Sequence, residues 1–374
     1  MALFGGSKVS VGLDIGTRWI KVVCAVMGKN ARPQITKAIC VKNSGDAREA
    51  VRRALSENNI KPDVVVACLD SQDAEMMVQE FIVKTAKEAE RLAEIKMREF
   101  NLNEFAINYS LLRGPVPGAD GSPVFLVLYV SAEKSKVAEF QSLLRVAGIN
   151  LNNLVMDVDQ LAAINALELD QSSVGVTCLI EGGATTTNIS ILKDGTLRHT
   201  AVVKDDGGAF FTDRLARELG ISTEQAEELK ITKGIEAGSA NRFSGPSSNF
   251  GSSLELDDSA LYANSSASAG ADDKVKYLSA FKDQIEPYLD KIISILKDYQ
   301  DKNSERIKDI ILTGGLACIK NIAGFTKNYL SAANLKIEAI ELAESPFLSS
   351  LNCSDEQRQV FTVALGLALR GFAE

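Results

Sequence analysis

The chain has 374 residues, 45% of them apolar and 24% charged, with a formal net charge of −8. This is the make-up of a globular protein long enough for two domains, and it lacks the basic, aromatic-interleaved stripe of a nucleic-acid binder. Six scattered cysteines and one histidine offer no zinc-ligand spacing. No stretch reaches the ~18 apolar residues of a membrane span, and the N-terminus lacks the apolar core of a secretory signal.

Residues 8–28 read as a strand, a glycine turn and a second strand (Trp19 to Met27), with Ile35 to Val41 completing a meander. Helical periodicity over 45–58 precedes the buried-strand run Asp63 to Leu69. A strand from Val78 to Val83, a charged helix over 84–99, a strand from Phe105 to Leu112, a Gly/Pro turn (Gly114 to Pro123), the strand Val124 to Val130 and a helix over 133–147 follow. They read as a small α+β unit, about 70–150, inserted into a first lobe spanning 1–152. The second lobe, 153–374, restarts the pattern. A strand from Asn153 to Met156 runs into a helix from Asp159 to Leu169, and Val174 to Ile180 and Thr187 to Leu192 flank a second glycine turn. Asp194-Gly195 signals a hairpin into Arg198 to Val203. Helices are expected over 209–219 and 222–235. The tract 236–273, dense in Ser, Ala, Gly and Asp, reads as a flexible surface excursion. A long helix over 274–303, a strand from Ile307 to Leu312, a Gly-Gly turn and an apolar helix from Gln357 to Phe372 complete the chain.

Two of the turns carry chemistry. Val11-Gly12-Leu13-Asp14-Ile15-Gly16-Thr17, with Lys21 after it, is an apolar strand followed by an acid, a glycine and a hydroxyl. Cys178 to Thr187 repeats the order, with Glu181 in place of Asp14 and Gly183, Ala184, Thr185 and Thr186 at the turn. Backbone N–H groups converging at such turns bind phosphate, and a carboxylate beside them suits Mg²⁺, which takes oxygen ligands and keeps some of its waters. Lys21 lies where the returning strand runs beside the first, so it can meet a phosphate as a point charge. Two copies a domain apart point to one nucleotide held between related halves. A third turn, Gly314-Gly315-Leu316, lies between a strand and a helix and lets a flat group approach the backbone, as an adenosine would. There is no G-x-x-x-x-G-K-[ST] motif, and His199, the one histidine, reads as an exposed strand residue.

Together these residues resemble the actin-like ATPase superfamily, which includes actin, Hsp70, sugar kinases and FtsA. The resemblance implies an α/β, ribonuclease H-like fold of two related lobes closing on ATP and Mg²⁺. Asp14, Gly16, Thr17 and Lys21 match its first phosphate motif, Ile180 to Thr187 the second, and Leu312 to Leu316 the adenosine motif. Asp14 and Glu181 would hold the metal, and Asp157 matches the acidic position near the catalytic water.

Within the superfamily the chain is similar to the PilM family of type IV pilus assembly. The similarity rests on Glu99 to Phe105 with Tyr109 and Leu112, on Asp157 to Ala162, on Gly207 to Thr212 leading into Leu219 to Lys230, and on Ala364 to Arg370. It implies that Gly207, Gly208, Glu227 and Lys230 face the nucleotide. It further implies an ATP-binding cytoplasmic platform, peripheral at the inner membrane, that binds the cytoplasmic tail of a PilN-like membrane protein beside the inserted unit. Pilus motor ATPases and a second copy of the chain are further partners on this reading, and ATP hydrolysis is slow or incidental. The chain departs from the family at Glu181-Gly182-Gly183, where Asp-Ile-Gly is usual. The longer acid is expected to hold Mg²⁺ through water or less tightly, and Gly182 to loosen the turn.

Three alternatives share the fold. A small-molecule kinase needs a polar substrate cluster, of which only Asp157 and Asp159 are evident. An FtsA-like filament protein is expected to end in a basic amphipathic helix, and a secretion GspL-like protein to continue into a membrane span. Neither follows Gly371-Phe372-Ala373-Glu374.

Overall fold

The computed structural model describes residues 8–28, 30–118, 120–235 and 268–373. Strands β1 (Val9–Ile15), β2 (Trp19–Met27) and β3 (Pro33–Lys42) lead into helix α1 (Ala47–Glu57) and strand β4 (Val64–Leu69). β5 (Ala74–Ile82), α2 (Ala86–Met97), β6 (Phe105–Pro117) and β7 (Pro123–Glu133) form the insertion. α3 (Lys134–Val146), β8 (Leu154–Val158), α4 (Asp159–Ala166) and the short α5 (Leu169–Ser172) complete the first half. The second half comprises β9 (Val176–Gly182), β10 (Thr186–Lys193), β11 (Thr196–Lys204), α6 (Gly208–Leu219), α7 (Thr223–Lys233), α8 (Ser268–Asn303), β12 (Asp309–Gly314), α9 (Ile322–Ala332) and β13 (Ala339–Leu342). It ends in α10 (Pro346–Ser349), α11 (Asp355–Arg358) and α12 (Thr362–Arg370).

The suspected repeat is real at the level of topology. One sheet has the order β3-β2-β1-β4-β8 and the other β11-β10-β9-β12-β13, so the two halves have the same plan. In each, an antiparallel meander is extended by two strands parallel to the first. Wholly buried runs such as Val64 to Leu69 fit strands covered on both faces. Asp194 (φ 47°) and Gly195 (φ 76°) make the expected hairpin turn, which needs positive φ at both positions.

Helices α4 and α12 cross between the sheets, and their contact is made of small residues. Ala162, Ala163, Ala166, Ala364 and Ala368 are fully buried there. Gly366 sits against the Ala162 carbonyl, where a Cβ would lie 1.7 Å from the oxygen. Gly12 of β1 is pressed as closely onto α12, with the Ala364 oxygen 1.9 Å from any Cβ. The second lobe has the larger aromatic core, in which Phe211, Phe281 and Tyr288 meet edge to face. Each such side chain contributes about 1.5–3 kcal/mol by its burial.

The insertion is a separate sheet of order β5-β7-β6, covered by α2, which opens with a Thr85/Glu88 capping box. β6 runs on to Pro117 instead of stopping at Leu112, and the turn shrinks to 118–122. An edge strand tolerates the two prolines that suggested a turn. The insertion touches the far lobe: Thr200 of β11 donates to the Met76 carbonyl at 3.2 Å, Arg198 meets Glu80 at 3.5 Å, and Arg113 reaches Thr196 at 3.1 Å.

Other expectations are amended. The helix predicted from Asp159 to Leu169 breaks at Glu168, which adopts a left-handed φ of 51°. Of the tract 236–273, residues 236–267 lie outside the described residues, while 268–273 are the first turns of α8. All six cysteines are free, with Cys40 exposed, Cys353 half-buried and the other four buried. No helix among the described residues is long and apolar enough to cross a membrane.

Candidate functional site

The first turn is built by strand register. β1 and β2 pair so that Asp14 stands opposite Lys21, and the lysine Nζ donates to Asp14 Oδ2 at 3.0 Å. The turn closes with a Gly16 N–H to Trp19 carbonyl bond of 3.1 Å. A Cβ on Gly16 would lie 2.8 Å from that same oxygen, which is why glycine is needed. Burial pulls the Lys21 pKa down, but the Asp14 carboxylate, with Glu181 beyond it, more than offsets this and leaves it raised.

The second turn repeats the geometry with one change. Asn188 stands opposite Glu181, at the same spacing as Lys21 from Asp14, and the Gly183 N–H bonds the Thr186 carbonyl at 2.8 Å. The amide of Asn188 donates to Glu181 Oε2 at 2.8 Å and to Asp159 Oδ2 at 2.9 Å, while its Oδ1 is buried without a partner. The cation of one half is thus an amide in the other. Gly182 does not loosen this turn: Leu316 packs so tightly that a Cβ at 182 would lie 2.5 Å from its side chain.

The two turns meet across one cleft, with Thr17 Oγ1 and Thr185 Oγ1 3.3 Å apart. Asp14, Gly16, Thr17, Lys21, Glu181, Gly183, Ala184, Thr185, Thr186, Gly208, Glu227, Lys230, Gly314 and Gly315 all line it. Three expected residues do not. Gly207 backs onto the Ala184 carbonyl, with no room for a Cβ. Leu316 is buried in the second core. The Asp157 carboxylate accepts from the Val158 N–H at 2.8 Å and faces Arg370 at 3.6 Å. The acid on the cleft wall is instead Asp159, the first residue of α4.

The Lys230 side chain is 3% exposed, and all three of its N–H donors are used. They go to the Gly208 carbonyl (2.8 Å), Thr212 Oγ1 (2.8 Å) and Glu227 Oε2 (2.7 Å). It therefore fastens α7 to the start of α6, whose Gly208 and Ala209 N–H groups each bond the second turn at 2.9 Å. Burial lowers its pKa, against the Glu227 charge.

Sequence reasoning missed several wall residues: Arg18, Trp19, Cys68, Asp70 and the segment Gln359–Val363 at the start of α12. Asp70 and Asp159 bring the carboxylates on the wall facing Lys21 to four, counting Asp14 and Glu181 but not Glu227, whose Oε2 is held by Lys230. Burial raises the pKa of Asp70, Asp159 and Glu181, and the Asp159 charge raises Glu181 further. Arg18, Lys21 and Lys230 are the bases on the same lining, with Lys21 paired to Asp14 and Lys230 to Glu227. Among the described residues no three His, Cys, Asp or Glu side chains form a ready-made metal cage.

Comparison with known proteins places this geometry. The family model described as type IV pilus assembly protein PilM matches residues 12–243, and that of cell division protein FtsA matches 178–351. A cell division protein FtsA of Pseudomonas aeruginosa is 38% identical over 88 residues, 23% of this chain, and the chain spans about a fifth (20%) of that relative's length. Among solved structures, a chain of a PilM–PilN type IV pilus biogenesis complex superposes with a TM-score of 0.71 at 19% identity, covering 98% of this chain and 99% of that one. The ethanolamine utilization protein EutJ of Carboxydothermus hydrogenoformans gives 0.49 at 14% identity, covering 99% and 91%. The fold is that of the actin-like ATPases, and the chain belongs to the PilM family.

Proposed function

We propose that the chain is an ATP-binding platform of type IV pilus assembly, working on the cytoplasmic face of the inner membrane through a PilN-like membrane partner. The observation that carries this reading is the meeting of two matched acid/glycine turns across one cleft, at Thr17 and Thr185, in a PilM-family chain. The Gly16–Thr17 and Gly183–Thr185 turns and Lys21 would take the phosphates, Gly314 and Gly315 the adenosine, and the free oxygen of Glu227 a ribose hydroxyl. Asp14 and Glu181 would hold Mg²⁺, which neutralises triphosphate charge when bound. The unpartnered Asn188 Oδ1 would accept a hydrogen bond from a water beside that ion. Asp159, on the cleft wall, would be the carboxylate that accepts a proton there, in place of Asp157, which does not line the cleft and faces Arg370. The partner's tail would lie beside the insertion, in the groove over Leu112, Leu161, Ile164 and Leu197.

Calorimetry with Mg-ATP and with a synthetic PilN-like tail tests both halves of the proposal. Saturable binding of each is expected, and a chain that binds neither would reject it. An FtsA-like filament is a second reading, favoured by the FtsA model's match to 178–351. ATP-dependent sedimentation would support that reading instead.

A further inference from the structure

We propose that the Arg18–Asp213 and Lys42–Glu224 ion pairs form a latch across the mouth of the cleft. On this view Lys42 and Glu224, which do not line the cleft, are positioning residues that govern nucleotide retention. The role in retention rests on the nucleotide reading above. The latch itself does not.

Arg18 donates to Asp213 Oδ1 at 2.7 Å, and Lys42 to Glu224 Oε1 at 3.3 Å. Each pair joins one lobe to the other. Both basic partners belong to one stiff unit, because Asn43 follows Lys42 and is bonded twice to the first turn. Its N–H bonds the Arg18 carbonyl at 2.9 Å and its side-chain amide bonds the Gly16 carbonyl at 3.0 Å. Arg18 and Lys42 must therefore move with the first phosphate turn. The acidic partners belong to an equally stiff unit. Asp213 lies on α6, whose Gly208 and Ala209 N–H groups hold the second turn. Glu224 lies in the first turn of α7, which Lys230 fastens to α6. Opening the cleft between Thr17 and Thr185 thus requires both pairs to break, and an intact latch resists that opening.

These pairs are exposed, with side-chain exposures of 29% and 55% for Arg18 and Asp213 and 60% and 71% for Lys42 and Glu224. Exposed pairs add little to stability and are weakened by salt. That is adequate for a latch, which must delay opening without forbidding it.

The protein carries its own probe. Trp19, its single tryptophan, lines the cleft next to Arg18 and is 42% exposed. Acrylamide quenching of Trp19 in the nucleotide-free full chain reads the latch directly, and stopped-flow release of a fluorescent ATP analogue reads retention. Lys42→Glu is expected to raise quenching and to speed release by about threefold. Adding Glu224→Lys, which restores an opposite-charge pair, should return both to wild type, and salt should act on the wild type as Lys42→Glu does. Wild-type quenching in Lys42→Glu, or no recovery in the swapped pair, overturns the latch. Asp213→Asn should also speed release. Slower release there would mean that Asp213 keeps Arg18 away from the phosphates, and would likewise overturn it. If the wild type binds no analogue, the nucleotide reading falls, and quenching still decides the latch.

Discussion

Replacing Gly366 by alanine puts the α4–α12 crossing to a quantitative test. The new Cβ would lie 1.7 Å from the Ala162 oxygen, 2.4 Å from its carbonyl carbon and 3.0 Å from its Cα. All three are backbone atoms, so no rotamer change relieves the overlap. To reach an ordinary 3.4 Å contact the helices must part by about 1.7 Å (3.4 − 1.7). A radial gap of only about 0.5–1 Å already forfeits a quarter to a half of each dispersion contact. The opening falls on Ala162, Ala163, Ala364 and Ala368, all fully buried. We expect a loss of about 3 kcal/mol, at the upper end for overpacked cores, which the ~1 kcal/mol helix preference of alanine over glycine does not cancel. At about 2.1 cal/mol/K of unfolding entropy per residue, each kcal/mol moves the melting temperature of a chain of this length by about 1.3 °C, so scanning calorimetry should register a fall of about 4 °C. Gly315→Ala is the paired control, because its Cβ would meet nothing nearer than the Gly182 oxygen at 3.6 Å. A Gly366→Ala protein that melts with the wild type would refute the crossing.

Three further outcomes are expected. Asp159 and Glu181 hold protons more tightly folded than unfolded, because burial and, for Glu181, the Asp159 charge raise their pKa values. The folded state therefore binds more protons, and stability is lost as pH rises from about 4 through the raised values. The ligand-free protein should melt lower at about pH 8.5 than at about pH 6, with Glu181→Gln flattening the profile; a wild-type melting point that climbs over this range would contradict the sign. Lys230→Met removes three hydrogen bonds, so it should cost about 2 kcal/mol and weaken nucleotide binding, and an unchanged denaturation midpoint would show that the lysine fastens nothing. Asp14→Asn strips Lys21 of its partner and should weaken Mg-ATP binding by about tenfold, or 1.4 kcal/mol; equal affinity by calorimetry would remove Asp14 from the site.

The first turn was legible because a short glycine connection fixes the hairpin register: with Ile15 paired to Ile20, Lys21 stands against Asp14, seven residues before it. The same interval sets Asn188 against Glu181, but an amide among threonines carries no charge to attract notice. Asp157 and Asp159 straddle a strand–helix junction, where side-chain direction changes period from 2 to 3.6. Only the position of Arg370, far along the chain, shows which of them reaches the cleft. Gln359 to Val363 were invisible for the same reason, since nothing local says that the start of α12 returns to this wall. Lys230 lines the cleft, but how many of its donors are engaged is a tertiary fact that no local pattern carries.

The bridges from the inserted sheet to β11, through Met76, Glu80 and Arg113, carry a mechanical consequence. A tether fixed to the inserted sheet would not tug on its own lobe alone. Its pull would pass into β11 and along the hairpin to β10, which begins at the second turn. Traction from outside would thus be felt at the wall that faces Asp14.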